Sequence, residues 1–182
     1  MIVQLWLTPI GEVGSTRAER NRAGRDAAER LLRHALRISP EELTRNAHGK
    51  PALPAGGRCF SLSHHSGSYA VLAVADGEVG VDIEPVSDRK IIIPRRFLRQ
   101  DELDWLGTDP DPERFAVLWT RLEAAIKADG RGFDMEHRDF SVVESGQPWH
   151  MHTFAHDGHV ISCAAGVPFE VCVTVVSAEE LK

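Results

Sequence analysis

The chain has 182 residues, of which 42% are hydrophobic and 26% are charged. This length and composition are typical of one globular domain, or of two small packed halves, with a buried core. The net charge of −6 argues against a dedicated nucleic-acid binder, because phosphate contacts need clustered cations. The longest apolar run has seven residues, from Tyr69 to Ala75, which excludes a membrane-spanning segment.

Other sequence-wide features favour a cytoplasmic protein. The apolar start MIVQLWL lacks a basic region and a small-residue cleavage site, so it predicts a first strand and not a signal peptide. The three cysteines lack CxxC spacing and predict neither a disulfide framework nor a cysteine zinc site. Between Arg17 and Arg37, seven arginines accompany three acids, which predicts a local surface that attracts anions.

The predicted elements alternate between strands and helices. A short helix begins with a capping box, in which Ser39 is the N-cap and Glu42 follows three residues later. Glycine and proline punctuate residues 48–57, which predicts a loop. In chain order we predict a strand at 1–7, helices at about 17–36 and from 40, the loop at 48–57, two or three strands within 59–84, helices at about 91–106 and 112–130, and strands within 148–176.

Two of the predicted strand pairs resemble each other. When Gly67 and Gly158 are placed in register, HHSGSYAVLAVA aligns with AHDGHVISCAAG. The match predicts either a duplicated unit or two ordinary hairpins. In the duplicated case the chain consists of two α/β halves, at residues 1–88 and 89–182. A cleft between such halves is a common place for a ligand.

GVDIEP, residues 80–85, carries two carboxylates in a strand that follows an apolar run. Because strand side chains alternate between faces, Asp82 and Glu84 point the same way. Two converging carboxylates are unfavourable unless a cation lies between them or one is protonated, so removing one is expected to relieve repulsion in a metal-free site. Such hard oxygen ligands suit Mg²⁺, which completes its shell with water and phosphate. The alternative is a solvated edge strand.

Glu123 and Lys127 lie four residues apart on the last predicted helix, so they share a face. The ordinary interpretation of this spacing is a surface ion pair worth about 0.3–0.5 kcal/mol. The functional interpretation makes Glu123 a third metal carboxylate and Lys127 a cation that binds phosphate. Gly130 and Gly132 follow, where they would end the helix and let the backbone approach a ligand closely.

Two polar stretches complete the set of candidate site residues. SLSHHSG places Ser63, His64 and His65 at the end of a strand, where a hydroxyl and an imidazole can hold a phosphate. The alternative there is a polar turn with one buried histidine. HGKP places Lys50 in a loop that Pro51 makes rigid, which fits either a ligand contact or an ordinary exposed lysine.

Five motifs occur in the order HGKP, FSLSHHSG, GVDIEP, RRFLRQDEL and LWTRLEAAIKADGRG, over about residues 48–132. In this order and spacing they resemble the 4'-phosphopantetheinyl transferases that activate nonribosomal peptide and polyketide synthases. The resemblance favours the duplicated architecture. It implies an α+β fold with pseudo-twofold halves at residues 1–88 and 89–182, each an antiparallel sheet packed with helices. It also implies a monomer that binds coenzyme A in the cleft between these halves.

The resemblance also implies a role for each candidate residue. The Mg²⁺ site, on the pyrophosphate of coenzyme A, would consist of Asp82, Glu84 and Glu123. The nucleotide and its phosphates would be contacted by Lys50, Pro51, Ser63, His64 and Lys127. Of the two histidines, His64 is chosen because it directly follows Ser63, as in the family's Ser-His pair.

The implied reaction is attack by a serine hydroxyl of an apo acyl or peptidyl carrier protein on the phosphorus next to the pantetheine arm, which gives holo carrier and 3',5'-ADP. Glu123, or water on the metal, would be the general base, and Lys127 would offset charge on the leaving phosphate. Carrier proteins of this class are acidic around their serine, so they are expected to dock on an apolar and basic patch. That patch would consist of Arg95, Arg96, Phe97 and Leu98.

The sequence departs from the family at Leu122, where a lysine is usual, and in the missing basic stretch before the first long helix. These departures leave open a non-catalytic member that binds carrier protein or coenzyme A. A Mg²⁺-dependent nuclease is a second alternative, although the acidic charge and the lack of an aromatic and basic stripe count against it. The helical neighbours of Leu122 are apolar, so we expect it to pack as core.

Overall fold

The structure is a computed structural model that describes residues 1–11, 13–54, 56–65, 67–87, 95–132, 135, 137–144, 146 and 148–181. Its strands are β1 (Ile2–Pro9), β2 (Thr44–Arg45), β3 (Pro51–Ala52), β4 (Cys59–His65), β5 (Tyr69–Ala75), β6 (Val79–Pro85), β7 (His150–His156), β8 (His159–Ala165) and β9 (Glu170–Val175). Its α-helices are α1 (Arg17–Leu36), α2 (Gln100–Leu106) and α3 (Pro112–Asp129). Short 3₁₀ helices lie at Pro40–Glu42, Arg95–Phe97 and His137–Asp139. None of the helices in these ranges is long and apolar enough to cross a membrane.

Helix α1 begins and ends at residues that satisfy its free backbone groups. The hydroxyl of Thr16 accepts a hydrogen bond from the backbone N–H of Glu19, whose carboxylate accepts one from the N–H of Thr16. Arg37 ends the helix in the left-handed region, at φ 55°. Leu31 and Leu32 are buried in a cluster with residues of β5. The predicted helix at 17–36 is therefore confirmed.

The strands form two larger sheets and the small β2–β3 hairpin. The first sheet has the order β4-β5-β1-β9, and the second has the order β6-β8-β7. Neighbouring strands are antiparallel except β1 and β9, which are parallel. The predicted antiparallel sheets are confirmed in the sets β4-β5-β1 and β6-β8-β7, and the parallel pair of β1 and β9 is a further pairing that was not predicted. Because β9 reaches β1 from the second sheet and not through a hairpin turn, it is free to run in the same direction.

The two sheets repeat one order of elements. The series β1, α1, β4, β5 gives the sheet order β4-β5-β1, and the series β6, α3, β7, β8 gives the order β7-β8-β6. Both hairpins turn at a glycine with positive φ, 91° at Gly67 and 70° at Gly158. The predicted α+β fold is confirmed. The predicted boundary between residues 88 and 89 lies outside the described residues and stays a prediction, while β6, just before it, pairs with β8 of the second sheet.

Three apolar clusters hold these layers together. One cluster lies between the sheets and includes Leu5, Ile83 and Ile161. A second joins α1 to the first sheet, and a third joins α3 to β8 of the second sheet. The first sheet thus has α1 on one face and β6 and β8 on the other. The edge strands β4 and β6 meet along one side of this arrangement, next to α3.

The region before α3 differs from its prediction. A helix at 91–106 is predicted, but within the described part of that range the structure has the 3₁₀ helix Arg95–Phe97 followed by α2 from Gln100. Residues 91–94 lie outside the described residues. Arg99 is extended, with φ −76° and ψ 166°, and its N–H donates to the carboxylate of Glu102 at 2.9 Å. This capping interaction starts a new helix and separates the two segments.

Candidate functional site

Helix α3 places Glu123 and Lys127 on one side and Leu122 in the core. The helix begins at Asp111, whose carboxylate accepts from two backbone N–H groups, and ends at Gly130 with φ 79°. Leu122 is 1% exposed and belongs to the apolar cluster that includes Leu118. The expectation that Leu122 packs as core is therefore confirmed, and this residue does not face the candidate site.

Gly80 lets strand β6 lie directly against α3. A Cβ at this position would overlap the carbonyl oxygen of Ala124 and lie 2.5 Å from the backbone nitrogen of Ala128. Only glycine permits this approach, because the obstacle is helix backbone and cannot rotate away. The close approach brings the strand that carries Asp82 and Glu84 beside the helix that carries Glu123 and Lys127.

Lys127 and Asp82 form an ion pair at the contact of α3, β4 and β6. The ammonium of Lys127 donates to Asp82 Oδ1 at 2.6 Å, to Ser63 Oγ at 2.9 Å and to the carbonyl of Val81 at 3.2 Å. The Ser63 hydroxyl in turn donates to Asp82 Oδ1 at 2.7 Å. The Asp82 side chain is 6% exposed and that of Lys127 is 29% exposed. The structure therefore brings together residues from three of the predicted motifs.

The carboxylates of this cluster are electrostatically crowded. Burial raises the pKa of Asp82, against the opposing effect of Lys127, and the Glu84 charge raises it further. The pKa of Glu123 is also raised, first by burial and then by the charges of Asp82 and Glu84. Burial is thus the first cause of both shifts, and the neighbouring carboxylate charges add to it.

A divalent cation fits this cluster in one respect. Asp82 Oδ2 is buried and has no hydrogen-bond partner, and an oxygen in that condition is a natural ligand for a hard cation. As the side chains stand, no three acidic, histidine or cysteine residues in the described ranges are arranged to hold a metal ion. In this arrangement Lys127 donates a hydrogen bond to Asp82 Oδ1, and Glu84 contacts His65.

The two neighbouring histidines lie on opposite faces of β4. His65 Nδ1 lies 3.2 Å from Glu84 Oε2. The ring of His64 lies against α1 at Gly24, where a Cβ would overlap Nδ1. His64 Nδ1 is buried without a partner, and burial lowers the pKa of this imidazole, as do the charges of Lys127 and Arg25.

A cavity of about 300 Å³ opens beside the Lys127–Asp82 pair. It lies between the loop before β3, strand β4 and the C-terminal end of α3, and its lining includes Lys50, Pro51, Lys127, Gly130 and Gly132. The candidate residues Ser63, His64, Asp82, Glu84 and Glu123 do not line it. The predicted residues thus form two neighbouring groups, one in the cavity wall and one around Asp82. Among the described residues, Lys127 is the only predicted ligand-binding residue that belongs to both groups.

The proposed docking patch is partly buried. Arg95 and Arg96 are exposed, and the guanidinium of Arg96 lies over the ring of Phe97 at 4.5 Å from its centroid. Leu98 is 4% exposed and packs in the cluster around α3. A partner at this surface would meet the two arginines and the half-buried phenylalanine, and not Leu98.

Sequence reasoning missed the residues that hold the site in shape. Gly80 and Gly24 are such residues, and the signal for Gly80 was a glycine inside a strand pattern, which often marks a close backbone approach. Glu78 was also missed, although its carboxylate bonds Lys50 at 2.8 Å. Local sequence gives no signal for a contact between residues so far apart in the chain.

The comparisons with known proteins agree with these observations. A family model of the 4'-phosphopantetheinyl transferase superfamily matches residues 78–167, a range that contains the carboxylates and Lys127. The chain is 31% identical over 164 residues to the 4'-phosphopantetheinyl transferase Sfp of Bacillus subtilis (strain 168), which covers 80% of this chain and 70% of that protein. It is 32% identical over 130 residues to the transferase gsp of Aneurinibacillus migulanus, covering 69% of this chain and 54% of gsp. It is 36% identical over 126 residues to AcpT of Escherichia coli (strain K12), covering 63% and 59%.

The chain belongs to the 4'-phosphopantetheinyl transferase superfamily. The family predicted from five motifs is therefore confirmed, and with it the enzyme class, a transferase.

Proposed function

We propose that this protein transfers the 4'-phosphopantetheine arm of coenzyme A to a serine hydroxyl of an apo carrier protein, giving holo carrier and 3',5'-ADP. Its membership of the superfamily supports the reaction class. The observation that carries the proposal at residue level is the buried oxygen Asp82 Oδ2, which lacks a partner inside a cluster of three carboxylates and one lysine.

The carboxylates Asp82, Glu84 and Glu123 are the residues that would hold Mg²⁺. When bound, Mg²⁺ supplies charge neutralisation for a diphosphate. Lys127 adjoins the cavity and is part exposed, so it could donate to a phosphate oxygen in exchange for one of its three present hydrogen bonds. This offsets negative charge on the 3',5'-ADP leaving group.

In the transfer step, the oxygen of the carrier serine forms a bond to the phosphorus next to the pantetheine arm. The bond from that phosphorus to the 3',5'-ADP oxygen breaks. Glu123, or a water molecule held at the Mg²⁺ site, would be the general base that takes the serine proton. No covalent enzyme intermediate forms.

The cavity beside Lys127 is the proposed place of the nucleotide. Lys50 and Pro51 line it together with the glycines at the end of α3, which leaves backbone accessible to a ligand. Ser63 and His64 would meet the 3'-phosphate region. The side of His64 that faces α1 also meets the positive charge of Arg25, which favours an anion there.

We propose further that an acidic carrier docks on Arg95, Arg96 and Phe97. Both arginines are exposed, and Arg96 is held over the phenylalanine ring. The monomeric state and the cytoplasmic location stay predictions. The burial of Leu122 favours the catalytic over the non-catalytic interpretation, because the departure from the family's lysine lies in the core.

The test is the intact mass of apo carrier proteins from fatty-acid, polyketide and nonribosomal peptide systems after incubation with this protein, coenzyme A and Mg²⁺. The expected result is one added phosphopantetheine arm on at least one carrier, with no addition when EDTA replaces Mg²⁺. Coenzyme A binding without transfer to any carrier would identify a non-catalytic member. Cleavage of plasmid DNA in a parallel reaction would support the nuclease alternative.

A further inference from the structure

The ammonium of Lys50 lies between Glu78, in the segment that joins β5 to β6, and the C-terminal end of α3. It donates to Glu78 Oε2 at 2.8 Å and to the carbonyl oxygen of Ala128 at 3.0 Å. The Lys50 side chain is 18% exposed, whereas that of Glu78 is 62% exposed. A cation is favoured here twice, by the carboxylate and by the negative end of the helix dipole.

Asn46 makes a second connection to the same helix end. Its Nδ2 donates to the carbonyl oxygen of Gly130 at 3.0 Å, and its Oδ1 accepts from the backbone N–H groups of His48 and Lys50, both at 2.9 Å. The loop that carries Lys50 is thus folded around Asn46. The carbonyls of Ala128 and Gly130, which lie at the end of the helix, both find partners in this loop.

Gly130 fits this contact closely. Its φ is 79°, and a Cβ there would lie 2.7 Å from Cδ of Lys50. The Lys50 alkyl chain therefore packs on the turn that ends α3, and both lie in the wall of the cavity. The bonds that join this wall to the rest of the fold are made by Asn46 and Lys50, in the loop before β3, and by Glu78, in the segment between β5 and β6.

We infer that Asn46, Lys50 and Glu78 form a latch that positions this cavity wall. Lys50 acts on the nucleotide through the wall and not by pairing its ammonium with a ligand phosphate. The inference rests on the proposed function and refines the role of Lys50 within it. Glu78 is then a positioning residue for coenzyme A, which it affects only through Lys50.

The two possible roles of Lys50 predict opposite effects of Glu78→Gln. If the ammonium paired with a ligand phosphate, Glu78 would compete with that phosphate, and Glu78→Gln would tighten coenzyme A binding. If the latch positions the wall, Glu78→Gln and Lys50→Met each weaken binding roughly 3- to 10-fold, the scale of one hydrogen bond. The double variant should then bind coenzyme A no more weakly than the weaker-binding single variant. The reason is that each single substitution already removes the same bond between Lys50 and Glu78.

The experiment measures the dissociation constant of coenzyme A by calorimetry for wild type, Glu78→Gln, Lys50→Met and the double variant. Glu179→Gln removes the same charge at an exposed position outside the cavity and is the matched control. In transfer assays the latch variants should raise KM for coenzyme A while kcat changes less than about twofold. Tighter binding by Glu78→Gln, or additive losses in the double variant, would overturn the latch.

A second readout needs no ligand. Amide hydrogen exchange at residues 46–50 and 128–132 should be faster in Glu78→Gln and Lys50→Met than in wild type, and unchanged in Glu179→Gln. Exchange that is unaltered in both latch variants would also overturn the inference. A wild type that fails to bind coenzyme A would instead contradict the proposed function, while the exchange data would still decide the latch.

Discussion

Glu123 is the side chain whose replacement should separate catalysis from folding. Glu123→Gln keeps the shape of the residue but removes the general base, so transfer should fall at least about 100-fold. The variant also removes one of three crowded negative charges, so its free energy of unfolding in EDTA should equal or exceed that of wild type. Carrier mass shift and thermal unfolding measure the two effects. A variant that loses activity and stability together would assign Glu123 to the fold.

Asp82 should behave differently, because it has a partner that the sequence does not reveal. From the sequence, removing one carboxylate is expected to relieve repulsion; in the structure, Asp82→Ala also leaves the Lys127 ammonium without its carboxylate at 2.6 Å. We expect the variant to lose about 1–3 kcal/mol of stability, since Lys127 is part exposed and water can replace some of the lost contact. Urea unfolding in EDTA is the measurement. Lys127→Met in the Asp82→Ala background should recover part of the loss.

Leu122 is a residue of the core and should respond as one. Leu122→Lys, which restores the family's usual residue, places an ammonium at a position that is 1% exposed, and should destabilise the protein by roughly 3–5 kcal/mol. Leu122→Met conserves volume and should cost less than about 1.5 kcal/mol. Unfolding by denaturant compares them. Higher transfer activity in Leu122→Lys than in wild type, at equal stability, would show that the chain is a degenerate enzyme.

At the scale of elements, the contact between β6 and α3 depends on Gly80. Gly80→Ala introduces a methyl group onto the backbone of Ala124 and Ala128, so the strand and helix must separate. We expect a loss of stability of more than about 3 kcal/mol, together with loss of transfer, because the carboxylates move away from Lys127.

Gly166→Ala is the control for that substitution, since a Cβ at Gly166 meets nothing within 4 Å. Circular dichroism during heating compares the two variants. Retention of wild-type stability and activity in Gly80→Ala would mean that β6 and α3 do not need their close approach.

The elements themselves were largely predictable from the sequence, and their partners were not. Period-2 and period-3.6 patterns gave the strands around Gly67 and Gly158 and the helices α1 and α3, because each pattern reports which face is buried. The break between the 3₁₀ helix and α2 was missed, since the capping by Glu102 competes with an otherwise continuous helical composition. The parallel pairing of β9 with β1 has no local signal at all.

At the scale of the whole molecule, a cation that binds only the folded protein must stabilise it. Millimolar Mg²⁺ should raise the melting temperature of wild type, and addition of coenzyme A should raise it again, because each ligand shifts the folding equilibrium by mass action. Asp82→Ala should show no Mg²⁺ response, and Glu179→Gln should respond as wild type does. Thermal scanning at several Mg²⁺ concentrations is the measurement. An equal response in Asp82→Ala and wild type would place the metal elsewhere.

The sequence predicts one polar face on a strand and another on a helix, but it does not predict that these two faces meet. The spacing of Asp82 and Glu84 in a strand, and of Glu123 and Lys127 in a helix, fixes which side chains share a face. That the two faces meet depends on Gly80, and that Lys127 bonds Asp82 instead of standing free depends on the same packing. The alternation of a strand also separates His64 from His65, but only the placement of β4 between α1 and β6 decides what each one meets.

The parallel pair of β1 and β9 can form only when nearly the whole chain has been synthesised. β1 leaves the ribosome long before β9. The hydrogen bond from the N-terminal ammonium of Met1 to the carbonyl oxygen of Pro168 joins residues that are 167 positions apart in the chain. At about 5–20 residues per second, the outer edge of β1 waits roughly ten to thirty seconds for its neighbour. During that interval the edge of β1 that β9 later covers is open to pairing with other chains, while β5 is available for the opposite edge. A polypeptide released before residue 170 would retain β4, β6 and α3, which carry the site, but would leave this edge of β1 uncovered.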